Sequence, residues 1–216
     1  MRKIITICRE FGSGGREVGK RLAEILQIPY YDNEIVTQLA QRTQLAEKYV
    51  SQFSEKNLNR IHYFPITVGR SFHMHMQTNP KLLQDINLRI EQGKLLKELA
   101  ENSDCVIVGR CANYILRDFE PLRIFIYADM ESKIKRCREK APEHEHMTDK
   151  ELKKYIIEID KSRADYYSSV TGKPWGVKTD YDIMLNTTHY PIKLAAQIIA
   201  QPLLFSEVKL DEELNE

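Results

Sequence analysis

No apolar run in this sequence approaches the length of a membrane span. Its opening, MRKIITIC, is too short an apolar stretch for a signal peptide, and Arg9 and Glu10 follow at once. Those absences predict a cytoplasmic protein with no membrane partner. Cysteine is scarce: the four residues Cys8, Cys105, Cys111 and Cys137 form no CxxC pair, and Cys8 and Cys105 fall inside apolar runs. Small buried or half-buried thiols in a reducing compartment are the reading that follows. Excess charge is missing too. Thirty-two Lys and Arg against 31 Asp and Glu leave a net charge of +1. Bulk electrostatic binding to nucleic acid or to an anionic membrane therefore has no support, although a local basic site is still allowed. There is no repeat of fixed period and no low-complexity linker.

What remains is ordinary globular composition, with 42% hydrophobic and 29% charged residues over 216 positions. That fits a single α/β domain, or one core with a small inserted subdomain. The most informative stretch is KIITICREFGSGGREVGKRL, Lys3–Leu22. Lys3–Cys8 is a short β-branched apolar run and reads as a buried strand. Arg9–Gly15 is a turn carrying Gly12, Gly14 and Gly15. Arg16–Leu26 carries Val18, Leu22, Ala23, Ile25 and Leu26 at helical spacing. Strand, glycine loop and helix form a phosphate cradle, because glycines let backbone N–H groups turn around an anion and a helix start adds its own free N–H groups.

Further strands are predicted at Ile28–Tyr31, Cys105–Val108, Leu122–Ala128 and Tyr181–Leu185. Helices are predicted at Glu34–Arg42, Leu82–Asn102, Ala112–Leu116, Glu131–Lys140, Thr148–Tyr167 and Pro191–Ala200. Five strands alternating with helices predict a doubly wound, mostly parallel five-stranded sheet with helices on both faces and ligands at the strand C-terminal ends. Asp32 follows the second strand, where it suits either a ligand contact or an N-cap. Gly109-Arg110 repeats the opening pattern, an Arg between a strand end and a helix start, where a phosphate or carboxylate is welcome; a surface Arg in a turn is the alternative. Asp160 and Arg163 share a helix face as a carboxylate–guanidinium pair. The basic run in Glu131–Lys140 reads as a solvated, lid-like face presenting Arg136 and Arg138. Thr148 and Glu151 have capping-box spacing. Thr43–Lys81 reads as an insert of short helices covering the site. Within it, His73 and His75 are two apart and cannot share a helix face, which argues against metal binding there. Gly14–Lys20 formally satisfies GxxxxGK, but Val18–Leu22 belongs to the helix, and the match is accidental.

A glycine loop with dispersed arginines suits phosphoryl transfer, which asks for positioning and charge neutralisation. The blocks CREFGSGGREVGKRLAE, PYYDNE, VIVGRCANYIL, DKSRADYYSSVTGKPW and YDIMLNT resemble the cytidylate kinase-like family, a branch of the P-loop nucleoside monophosphate kinases. The resemblance covers nearly the whole chain. It implies one P-loop kinase-like domain over 1–216, a monophosphate-binding insert near 49–83 and a lid near 140–151. It also implies transfer of the ATP γ-phosphate to CMP or dCMP with Mg²⁺. In that scheme Gly12, Ser13, Gly14, Gly15, Arg16 and Glu17 hold ATP, and Asp32, Arg110 and Arg163 hold the acceptor. Arg16, Arg110, Asp160 and Arg163 serve catalysis. The loop departs from the family pattern GPSGSGKGT: Arg9 stands at the first glycine, Gly15 at the lysine and Glu17 at the magnesium-binding hydroxyl. Arg16 is expected to replace the lysine's charge, and Glu17 to reach Mg²⁺ through water. Gln38 stands where true cytidylate kinases carry an Arg. Two alternatives remain open: a nucleotide- or phosphate-binding regulatory protein with lost catalysis, and a kinase of another small acceptor. The partner is a small-molecule nucleotide; a homo-oligomer is allowed by the sequence and not specified by it.

Overall fold

The computed structural model describes residues 3–55, 80–140 and 147–205. The expected strands and helices form, with shifts at their ends. Strand β1 is Ile4–Arg9, helix α1 Gly15–Leu26, strand β2 Tyr30–Tyr31, helix α2 Asn33–Thr43 and helix α3 Glu47–Glu55. Next come α4 Pro80–Asn102, β3 Cys105–Val108, the short α5 Ala112–Ile115, β4 Leu122–Tyr127 and α6 Met130–Lys140. The chain closes with α7 Asp149–Thr171, β5 Ile183–Asn186 and α8 Ile192–Phe205, which continues through Pro202. The five strands are ordered β2-β3-β1-β4-β5, and every neighbouring pair is parallel.

β1 lies at the centre because both its faces are apolar. Ile5 and Ile7 pack on one side with Val18 and Leu22 of α1 and Ala195, Ala196 and Ile199 of α8. On the other side Ile4 joins Ile35 and Leu39 of α2, Leu95 and Leu96 of α4, and Tyr166 and Tyr167 of α7. A strand buried on both faces needs such a continuous apolar run, and each fully buried Ile contributes about 2 kcal/mol. Parallel strands all end on one edge of the sheet, so Arg9, Asp32 and Gly109 arrive together there.

Part of the segment expected to cover the site is also core. Val50 and Phe53 of α3 are buried in the α2–α4–α7 cluster, and Tyr49 donates a 2.5 Å hydrogen bond to Asp85 of α4. The rest of that insert (56–79, including His73 and His75) and the lid centre (141–146) lie outside the described residues. The Thr148–Glu151 capping box forms as the spacing predicts. No helix among the described residues is long and apolar enough to cross a membrane.

Candidate active site

β1 ends at Arg9, and the chain turns through the glycine loop into α1. Gly12 and Gly14 have φ of +73° and +81°, values that favour glycine, and Gly14 is the N-cap of α1. The first-turn N–H groups of such a helix have no partner within it. Gly12 is hemmed in from outside the loop: a Cβ there would lie 3.0 Å from the Lys133 carbonyl and 3.1 Å from Cys137 Sγ.

The loop is fixed from behind by residues that the sequence reading set on a solvated face. Lys133 is buried, with Nζ 2.8 Å from both Glu10 Oε2 and Asp160 Oδ2. Asp160 Oδ1 accepts a 2.6 Å hydrogen bond from the Phe11 amide. Arg136 donates to the carbonyls of Gly12 and Ser13 and to Thr187, whose hydroxyl donates to Ser13 O at 2.6 Å. The basic helix is thus an anchor for the loop. A helical repeat could have revealed this: Cys137 marks the buried side of α6, and Lys133 lies one turn away on the same stripe.

Asp160 and Arg163 do share a face, at 3.9 Å, but Lys133 is the closer partner of the carboxylate. Arg163 donates instead to the Arg9 carbonyl at 3.1 Å and lies over the Phe11 ring. Asp32 occupies the N-cap position of α2, yet its side chain makes no cap hydrogen bond. Its carboxylate turns to Arg16 Nε, to Arg9 Nη2 at 3.8 Å and to the Tyr30 hydroxyl at 3.4 Å. Burial together with the Asp32 charge pushes the Tyr30 phenol well above its usual range. Gly109, Arg110 and Cys111 are three consecutive left-handed residues, with φ of 79°, 58° and 52°. Such strain persists where surrounding contacts hold it, and here Gln92 of α4 donates to the Arg110 carbonyl at 3.2 Å. Glu17 is paired with Arg21 and with Lys140, and the Lys140 hydrogen bond lowers its carboxyl below the usual range. Lys20, the residue of the accidental GxxxxGK match, is exposed on α1.

Two cavities meet at this edge. The larger, about 510 Å³, runs along the glycine loop and includes Gly12, Gly14, Gly15, Glu17, Arg136 and Lys140. The smaller, about 90 Å³, lies under Gly109 and Arg110. Their walls share Arg9, Arg16, Asp32, Asn33 and Arg163. No group of three His, Cys, Asp or Glu among the described residues could hold a metal ion.

The cytidylate kinase-like family profile matches residues 4–189, from the first residue of β1 to just past β5. The chain belongs to the cytidylate kinase-like family. Among solved structures it is similar to an uncharacterized protein from Eubacterium ventriosum ATCC 27560, at 26% identity and TM-score 0.66, covering 94% of this chain and 98% of that one. Shikimate kinase from Bacteroides thetaiotaomicron aligns at 18% identity and TM-score 0.53, over 94% of this chain and 98% of its own. Shikimate kinase from Acinetobacter baumannii, solved with shikimate, aligns at 16% and 0.52, over 97% of each chain. These two show the fold alone, that of the P-loop kinases. No curated protein sequence matches the chain. As a member of this family it is a kinase-like protein, and phosphoryl transfer is the chemistry its architecture serves.

Proposed function

We propose that the protein transfers the γ-phosphoryl group of ATP to a nucleoside monophosphate, with CMP or dCMP as the first candidates. The observation that carries this reading is the pair of cavities sharing Arg9, Arg16, Asp32, Asn33 and Arg163. A donor triphosphate along the glycine loop and an acceptor phosphate beside Arg110 would face each other across those arginines. An acceptor phosphate oxygen attacks the γ-phosphorus, and the bond to the β,γ-bridging oxygen breaks with its electron pair staying on ADP. The acceptor oxygen is already ionised, so no general base is needed. Catalysis is then positioning and charge neutralisation.

In this reading Gly12–Glu17 hold the triphosphate through loop and helix N–H groups, and Arg110, Arg163 and Asp32 orient the acceptor. Arg16, through its pair with Asp32, links the two cavities. Mg²⁺ supplies further neutralisation of the triphosphate. Glu17 would be the residue to help hold it, and would be available only once Lys140 releases the carboxylate, since the two are ion-paired.

A second reading has its own motive. Gly15 and Glu17 occupy the positions of the lysine and hydroxyl that P-loop enzymes use on phosphate and Mg²⁺, which suits a nucleotide-binding regulatory protein. The deciding experiment is turnover with ATP and Mg²⁺ against a panel of nucleoside monophosphates and small alcohols, shikimate among them, with ATP binding followed by calorimetry. Phosphorylation of CMP or dCMP is expected. ATP binding without any turnover would select the regulatory reading, and turnover of an alcohol alone would select a kinase of another acceptor.

A further inference from the structure

Gly15 opens α1 and Gly109 follows β3, and each borders one residue, Arg9. A Cβ on Gly15 would lie 2.5 Å from Arg9 Cβ and 3.0 Å from its Cγ. A Cβ on Gly109 would overlap Arg9 Nη1. One glycine makes room for the stem of Arg9 and the other for its guanidinium. The side chain is 13% exposed, its Nε is buried without a hydrogen-bond partner, and its ion-pair partner Asp32 stands at 3.8 Å, beyond hydrogen-bond distance. A half-buried guanidinium whose Nε has no partner costs stability unless an anion completes it.

We propose that Arg9 is the phosphate-binding cation of this loop, and that the charge has moved from the position of Gly15 to the position of Arg9. In the GxxxxGK pattern the first residue is glycine and the last is a lysine that reaches the β- and γ-phosphates. Here the two are exchanged: the cation stands first and glycine stands last. The exchange is forced sterically, because the space a side chain would enter at Gly15 is filled by the Arg9 stem. Arg16, the expected replacement, is a poorer candidate. Its side chain is 57% exposed and turned onto Asp32. Arg9 borders both cavities and its guanidinium lies against Gly109, so a phosphoryl group passing between the two cavities would lie beside it. It makes and breaks no bond; it neutralises charge during the transfer described above.

This inference rests on the kinase reading, and the test separates the two. Wild type, Arg9→Gly, Gly15→Lys, the double variant Arg9→Gly/Gly15→Lys and Arg16→Ala are compared for turnover and for tripolyphosphate affinity by calorimetry, with melting curves as a folding check. Arg9→Met, which keeps the stem packed on Gly15, replaces Arg9→Gly if the latter does not fold. Loss of Arg9 is expected to lower turnover about 100-fold or more and tripolyphosphate affinity about 10-fold or more. Adding Gly15→Lys to Arg9→Gly is expected to recover about 10-fold of the lost turnover or affinity, whereas Gly15→Lys alone impairs both because two side chains compete for one space. Arg16→Ala is expected to cost less than Arg9→Gly. If wild type binds tripolyphosphate and phosphorylates nothing, the kinase reading fails, and the affinity comparison still decides the role of Arg9. Affinity and turnover within about threefold of wild type without Arg9, or a double variant no better than Arg9→Gly, would overturn the proposal.

Discussion

Lys133 Nζ lies 2.8 Å from Asp160 Oδ2, joining α6 to α7 directly behind the glycine loop. The same ammonium reaches Glu10 at 2.8 Å, and the other oxygen of Asp160 holds the Phe11 amide at 2.6 Å. One buried cation thereby fixes both ends of the turn from Glu10 to Phe11.

Lys133→Met is accordingly expected to destabilise the protein by about 3 kcal/mol, since removing one partner of a buried pair leaves the other uncompensated. Urea unfolding measures this. Asp160→Asn added to it should cost less than the sum of the single changes, because the two residues are in contact. Strict additivity would show that they do not act as a pair.

Thr187 is fully buried and its hydroxyl donates to Ser13 O at 2.6 Å. Thr187→Val keeps the shape and removes the donor, at an expected cost of about 1–3 kcal/mol. Hydrogen exchange of the Gly12–Gly15 amides should quicken in the variant; unchanged exchange would mean that the Thr187 hydroxyl does not hold the loop.

Glu17 gives a pH dependence of defined sign. The Lys140 hydrogen bond lowers its folded-state value below the ordinary 4.5. Its contribution to stability is therefore present above 4.5 and is lost as pH falls through the lowered value. Glu17→Gln should melt below wild type at neutral pH, and the gap should close in acid. A gap of constant size throughout would exclude the ion pair as its source.

Arg110→Ala tests the acceptor side. Loss of hydrogen bonds from a charged group costs about 1.5–3 kcal/mol, which corresponds to a rise of roughly 10- to 100-fold in KM for CMP. ATP affinity measured without acceptor should hold. A parallel loss of ATP affinity would move Arg110 to the donor side.

All four cysteines are buried and free. Burial pushes the thiols of Cys8 and Cys105 up to about 11. A thiol reagent at neutral pH is expected to find none in the native protein and all four after denaturation. Rapid labelling of native Cys8 or Cys105 would contradict the packing of β1 and β3.

The sequence by itself determined the sheet and the loop. Its strands are short, doubly apolar runs, and the alternation with helices leaves the parallel architecture as the consistent solution. Gly12, Asp32 and Gly109-Arg110 could be singled out because strand ends carry local signals: glycine where φ is positive, and a polar residue where an apolar run stops. Which charges face the site was decided only in three dimensions. Lys133 looked like one more cation on a basic helix, set apart from Lys135 only by lying one turn from Cys137; its burial comes from the contact of α6 with a loop more than a hundred residues earlier. Asp32 carried a cap signal, yet the pull of Arg9 and Arg16 turned its carboxylate into the site. Arg9 was visible only as a departure from a pattern. That its side chain fills the space of the missing lysine depends on Gly15 and Gly109 being brought together, because parallel strands must end on the same edge of the sheet.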